Sequence, residues 1–378
     1  MRIALAGLAA LAVAMGIGRF AFTPILPMMQ QDAGLSVAGG GWLASANYLG
    51  YLAGALWAGA VRAEHATAIR AGLAAIALAT LAMALDTGFA AWALLRFIAG
   101  LASAWVLVHT SAWCLERIVP MEGARTLPRG RPILAGVLFA GVGAGVVVAG
   151  SVCALLMTVH AGSSSAWLLL GIVSFATTAA VWPVFHSSGG KDTAPRVPHL
   201  WTWEQARLVL AYGAYGLGYI IPATFLPVMA RAVVSDPKVF GWAWPLFGAA
   251  AALSTLGVAL LTRRYGNRAA WIGSHLVMAL GVAAPVFWPG IGGIVLAALC
   301  VGGTFVVITM VGLQEARIVA ATQAPRLMAA MTAAFAAGQV AGPLSVSLLV
   351  VTGGGFSAAL LIASALLVAG AALLLVRR

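Results

Sequence analysis

Charge is scarce in this chain: 8% of its 378 residues are Asp, Glu, Lys or Arg, against roughly a quarter in an ordinary soluble domain, while 62% are hydrophobic. So few water-seeking groups cannot cover a soluble fold of this length. Acidic residues are scarcer still, nine against 21 Lys and Arg, and none falls in the middle of an apolar run. Cysteine is limited to Cys114, Cys153 and Cys300, in separate runs, which excludes a disulfide framework and a cysteine metal site. A Gly-x-Ser-x-Gly elbow and a His-Glu-x-x-His pair are absent, so a polytopic membrane enzyme lacks its machinery. Gly16-Ile17-Gly18-Arg19-Phe20-Ala21 imitates a dinucleotide fingerprint but sits inside an apolar run rather than after a strand. Gly190-Lys191-Asp192 lacks the upstream glycine of a phosphate loop. No cofactor and no metal are expected. The net charge of +12 comes from basic residues scattered in loops, without a basic stripe, so nucleic acid is excluded as a partner.

What the chain has in abundance is long apolar runs. A spanning helix needs about 20 such residues. Six runs cover 3–28, 39–61, 68–85, 90–114, 132–158 and 166–185, and six more cover 208–230, 240–261, 269–288, 290–312, 327–351 and 356–376. Lys and Arg gather in loops that stay in the cytoplasm. Of the 21 basic residues only Arg231 and Lys238 fall on one side, Arg19 and Arg96 lie inside spans, and all others fall on the opposite side. That alternation predicts twelve spans with both termini cytoplasmic. The first run could pass for a secretory signal, with Arg2 before it and Ala12-Val13-Ala14 as a cleavage site. The internal repeat argues against that.

Shifting the sequence by 200 residues lays Gly16, Gly18, Leu26, Pro27 and Met29 on Gly216, Gly218, Leu226, Pro227 and Met229, and Gly41-Trp42 on Gly241-Trp242. A duplicated six-helix unit predicts this. The expected organisation is a bundle over 1–185, a cytoplasmic linker over 186–207 with Trp201 and Trp203 at the headgroups, and a second bundle over 208–378. Gly141 and Gly145 match Gly338 and Gly342 as small-xxx-small pairs that let helices approach closely.

This layout resembles the major facilitator superfamily over the whole chain. Gly16-Ile17-Gly18-Arg19-Phe20-Ala21-Phe22-Thr23-Pro24-Ile25-Leu26-Pro27 is similar to the first helix of its YbfB/YjiJ-like bacterial branch. Arg96-Phe97-Ile98-Ala99-Gly100 resembles a fourth-helix motif of that superfamily, and Gly338-Gln339-Val340-Ala341-Gly342-Pro343 a Gly-Pro motif of the eleventh. Arg263-Arg264-Tyr265-Gly266-Asn267-Arg268 resembles its basic gating loop without the usual acidic residue, and the first-half counterpart, Arg62-Ala63-Glu64-His65, is more degenerate. The resemblance implies two six-helix bundles that rock about a midplane cavity lined by spans one, four, seven and ten.

An ionised side chain at membrane depth costs at least about 2.5 to 3.5 kcal/mol, so Arg19 and Arg96 need partners or a wet cavity. Helical spacing places Arg19 with Gly16 and Thr23, and Arg96 with Gly100, Ser103 and Thr110. Either arginine is a substrate contact, or it snorkels to the interface or pairs with a helix-end carbonyl. Tyr219 stands at the position symmetric with Arg19 and forms a stripe with Tyr212 and Tyr215, while Asn47 and Tyr51 make a polar patch in span two. The tyrosines and Gln339 are either a substrate-facing wall or paired packing groups. Pro24, Pro27, Pro222 and Pro227 are expected to bend spans one and seven. His109 and His275, the histidines within spans, read as satisfied structural groups, and protons are a candidate coupling ion.

Two buried guanidinium groups without a buried carboxylate favour an anion over a cationic drug. The resulting expectation is a secondary transporter for a small organic solute, acting as a monomer by alternating access. The alternatives are an efflux antiporter of the same fold, a membrane enzyme and a non-transporting sensor.

Overall fold

The structure is a computed structural model that describes residues 1–61, 63–118, 132–186, 201–233, 237–351 and 355–375. Among these the chain is helical and contains no strand. The helices are α1 (Arg2–Leu11), α2 (Phe22–Asp32), α3 (Val37–Ala60), α4 (His65–Ala82), α5 (Phe89–Ile118), α6 (Pro132–Thr158) and α7 (Ser163–Val181). The series continues with α8 (Trp203–Val233), α9 (Pro237–Phe287), α10 (Ile291–Ala320), α11 (Ala324–Val351) and α12 (Gly355–Leu375). Arg62 and most of the linker, 187–200, lie outside the described residues.

Among the described residues eight segments are long and apolar enough to cross a membrane. Two of them, Trp244–Phe287 and Ile291–Gly342, are 44 and 52 residues long, and at about 20 residues per crossing each holds two spans. α3 and α8 account for the two remaining apolar runs of the sequence. The fold is therefore twelve membrane helices in two pseudo-symmetric six-helix bundles. α1 and α2 together make the first span, and α9 holds spans eight and nine, divided at Gly266. Its φ of 79° and ψ of 167° are open to glycine and strained for other residues.

Local signals set the helix starts. Ser36 caps α3 by accepting from the Gly39 amide at 3.0 Å, and Glu64 caps α4 by accepting from Ala66 at 3.3 Å and Thr67 at 2.9 Å. Slight burial pushes the Glu64 carboxyl up, but the Thr67 hydroxyl and the two amides outweigh it and hold the group below the usual carboxylate range. Asp32, at the end of α2, accepts from the backbone amide of Ser163 and, at 2.8 Å, from its hydroxyl, tying the first span to the start of α7.

Equivalent glycines pack equivalent helices. In the first bundle Gly141 and Gly145 of α6 lie against the backbone of Leu8, Ala12 and Gly16. In the second, Gly338 of α11 lies against Gly213, Gly216 and Leu217 of α8, and Gly342 against Ile220. Pro343 belongs to α11, but its side chain lies outside the described residues. At the face that carries Arg2, Arg117, Arg268 and Arg317, called here the basic face, the bundles are joined. Arg317 of α10 donates to the carbonyl of Leu115 and, at 3.4 Å, to that of Glu116 in the last turn of α5. Carbonyls at a helix C-terminus lack amide partners of their own, so a guanidinium suits them.

A Cβ at Gly16 would lie 2.3 Å from the Gly145 Cα, whereas one at Gly257 of α9 would meet open space. Gly16→Val is expected to cost about 1–3 kcal/mol or more through overpacking and to lower the melting temperature in detergent by several degrees. Gly257→Ala should leave it within a degree.

Candidate functional site

The first span is not a continuous α-helix. Ala12–Ile17 forms a π turn, with the Gly18 amide bonded to Val13 at 2.8 Å and the Phe20 amide to Met15 at 3.1 Å. Regular α-helix resumes only at Phe22. Pro24 has no amide to offer the Phe20 carbonyl, which accepts instead from Thr23 at 3.3 Å. The Arg19 carbonyl thereby loses its usual amide four residues on. The break thus lies at residues 18–21, one turn before the prolines expected to bend this span, while α8 runs unbroken through Pro222 and Pro227.

Arg96 fills that gap. Its Nη1 donates to the Gly18 carbonyl and its Nη2 to the Arg19 carbonyl, each at 3.1 Å, with Phe22 and Trp167 rings 4.9 and 6.0 Å from the guanidinium carbon. Two turns along α5, Ser103 Oγ lies 2.6 Å from the carbonyl oxygens of both Ala14 and Ala99, fastening the π turn at a second level. Asn47 of α3 donates to the Arg96 carbonyl at 2.9 Å and holds α5 in place. Of the readings open for a buried arginine, the hydrogen bonds of Arg96 match pairing with helix-end carbonyls.

Arg19 is held differently. It is 3% exposed, and its Nη2 donates to Gln339 Oε1 of α11, across the boundary between the bundles. The Tyr51 ring lies 3.7 Å from its guanidinium carbon, with Phe20, Tyr48 and Phe335 at 5.6–5.7 Å. Each ring face contributes on the order of 0.5–2 kcal/mol, but none supplies a negative charge. Among the described residues no carboxylate pairs with Arg19, and its Nη1 and Nε, like Gln339 Nε2, are buried without a partner. The Asn47 amide oxygen is likewise unpartnered.

The tyrosine stripe of α8 forms the opposite wall. Tyr219 stacks on Phe305 at 5.2 Å and on Phe335 at 6.2 Å, and Tyr215 meets Phe335 at 4.7 Å. Tyr212 packs on Tyr215 and Trp271. The Tyr215 hydroxyl donates to the Phe305 carbonyl at 2.6 Å. Phe20, Phe305 and Phe247 continue the cluster at centroid distances of 6.0 and 5.1 Å, so aromatic faces from both bundles enclose Arg19.

Other expected residues lie elsewhere. Arg263 and Arg264 are exposed at the basic face, Arg264 beside Tyr265. Arg268 binds Glu204 of α8 and, at 2.9 Å, Glu315 of α10. Both glutamates read as loop residues in the sequence, yet they lie within helices and supply the acid that the basic loop lacks. His275 faces the carbonyls of Trp271 and Ala211 at 3.3 Å each. His109 meets His65 with 2.7 Å between their Nδ1 atoms, a partner that sequence spacing did not suggest. Sequence reading also missed the π turn and the roles of Phe20, Phe305 and Phe335. A lone phenylalanine among apolar residues carries no local mark of the face it will share.

Twelve membrane helices in two pseudo-symmetric bundles define the major facilitator fold of membrane transporters. The family model described as "Uncharacterised MFS-type transporter YbfB" matches residues 11–375, and the chain belongs to that family of transporters. It is 36% identical over 93 residues to "Uncharacterized MFS-type transporter YceJ" of Bacillus subtilis, a match that spans 24% of each chain. Among solved structures it resembles the human organic anion transporter MFSD10, with a TM-score of 0.75 at 15% identity over 99% of both chains. It also resembles the transporter FucP in its outward conformation, with a TM-score of 0.74 at 13% identity over 98% of this chain and 97% of that one. At such identities these two likenesses establish the fold alone.

Removing the Arg96 guanidinium strands two buried carbonyls, each costing about 1–3 kcal/mol when unpaired. Arg96→Ala should therefore lower the melting temperature in detergent markedly. Arg96→Lys, with one point-like donor in place of a fork, should recover only part of that loss.

Proposed function

We propose that this chain is a secondary transporter that carries a small organic anion across a bacterial inner membrane by alternating access, with Arg19 as the residue that receives the anionic group. The observation that carries the reading is Arg19 itself: a guanidinium at membrane depth, with two unpartnered nitrogens and no carboxylate among the described residues to neutralise it. A buried cation without a counter-ion is costly to fold around. An anionic ligand that completes the site on arrival gives a reason to retain it. Arg96 acts through the backbone of residues 18 and 19 and is a positioning residue. Asn47 supports Arg96, while Tyr51, Gln339 and the stripe of Tyr212, Tyr215 and Tyr219 form the wall.

In this reading residues 1–185 and 208–378 are the two moving halves, joined by the linker 186–207, and the working unit is a monomer. Access from the basic face requires the Arg317 bonds to α5 to break, and the glycine contacts of α6 and α11 hold each half rigid as it moves. The skew of basic residues supports placing that face and both termini in the cytoplasm. Protons are the proposed coupling ion. Export of a cationic drug is expected to depend on an unpaired buried carboxylate, and the buried Glu315 is already paired with Arg268 at the basic face.

Purified protein in proteoliposomes should take up organic anions, with flux that changes with an imposed pH gradient, and Arg19→Gln should reduce that flux at least tenfold. Because the substitution removes an uncompensated buried charge, Arg19→Gln should melt at the same temperature as the parent or higher. Full anion flux in a folded Arg19→Gln protein would refute the assignment. A fluorescent reporter that matures only in the cytoplasm, fused to the C terminus, should be bright, and a dark fusion would reverse the orientation.

A further inference from the structure

Resting on the reading of Arg19 as the anion contact, we infer that the ligand is a monocarboxylate with a flat, apolar body, bound between Arg19 and the Gln339 side-chain amide. The charge follows from how the two arginines are used. Arg96 has both Nη atoms on the carbonyls of Gly18 and Arg19. Arg19 is thus the guanidinium left to meet a ligand at this depth, and it matches one negative charge. The second carboxylate of a dianion would find both Arg96 Nη atoms already bonded to carbonyls and would lie against ring faces without a forked donor of its own.

A carboxylate suits the donors. A guanidinium offers two forks, and Nη2 belongs to both of them. In Arg19 one of the two N–H groups on that shared nitrogen donates to Gln339 Oε1, so the glutamine holds the fork on that side, while the other member of each fork, Nε or Nη1, is unpartnered. The glutamine oxygen therefore stands where one carboxylate oxygen would sit. A carboxylate that displaces it gains a bidentate pairing with Arg19. The Gln339 Nε2, buried and unpartnered, can then donate to the displacing group. The ligand would replace one bond between the bundles by bonds of its own to both bundles.

The body of the ligand is read from what surrounds the guanidinium. Phe20, Tyr48, Tyr51 and Phe335 lie around it, Phe305 and Tyr219 pack behind Phe20 and Phe335, and the Tyr215 hydroxyl is already committed to the Phe305 carbonyl. Such a shell stacks on a planar apolar group and leaves the hydroxyls of a sugar acid poorly matched.

Binding to purified protein can be measured by thermal stabilisation and tryptophan fluorescence, with phenylacetate as the probe. Phenylacetamide tests the charge, gluconate the apolar body and succinate the single charge. Phenylacetate should bind at least tenfold more tightly than each of the other three, and Arg19→Gln should abolish its binding. Gln339→Glu, which tethers a carboxylate beside Arg19, should also weaken phenylacetate at least tenfold while raising the melting temperature. Arg19-dependent binding of succinate or gluconate as tight as that of phenylacetate would overturn the inference while leaving Arg19 as an anion contact. Undiminished phenylacetate binding to Gln339→Glu would overturn the displacement of Gln339. Absence of any Arg19-dependent anion binding would overturn both the inference and the reading beneath it.

Discussion

The guanidinium of Arg96 closes a gap in the backbone of the first span, and the site is built on that closure. In a hydrocarbon environment every backbone carbonyl needs a donor from within the protein. The π turn at Ala12–Ile17 and Pro24 together leave a stretch of backbone outside the regular helix. Arg96 and Ser103, two turns apart on α5, reach across to it. The consequence is positional: with its carbonyl pinned, Arg19 is rotated out of a regular helical path and directed toward α3 and α11. Carbonyl dipoles solvate Arg96, a glutamine and ring faces solvate Arg19, and among the described residues neither has a carboxylate partner.

Around this asymmetric feature the rest of the molecule is close to a repeat. α6 rests on the first span through Gly141 and Gly145, and α11 rests on α8 through Gly338 and, less tightly, Gly342. Where the first half has Arg19, the second has Tyr219, stacked on Phe305. At that pair of positions the first half carries a charge and the second an aromatic ring. Gln339, one residue after a packing glycine, is carried to the boundary by the same close helix approach that Gly338 permits.

The basic face shows a related economy. Arg268 is satisfied by glutamates from two other helices, and Arg317 by the exposed carbonyls of α5. The loop Arg263–Arg268 resembles its family counterpart yet lacks the acid within its own sequence. Its neighbours provide that acid across the bundle. Contacts of this kind are broken and remade cheaply, because water can replace either partner at a membrane surface, whereas it cannot do so beside Arg19.

Sequence alone determined the spans, the pairing of halves and the fact that Arg19 and Arg96 lie at membrane depth. Apolar length, charge asymmetry and a fixed offset are properties of the linear chain, and the bilayer demands them directly. It could not separate the two arginines, since both share a helical face with small and polar residues. Only the tertiary structure assigned one to backbone carbonyls and the other to a glutamine 320 residues away. The Phe20, Phe305 and Phe335 cluster and the acids beside Arg268 were equally hidden. A side chain's partner in three dimensions depends on how helices rotate and cross, and neither hydropathy nor spacing encodes that rotation for helices that are apolar on nearly every face.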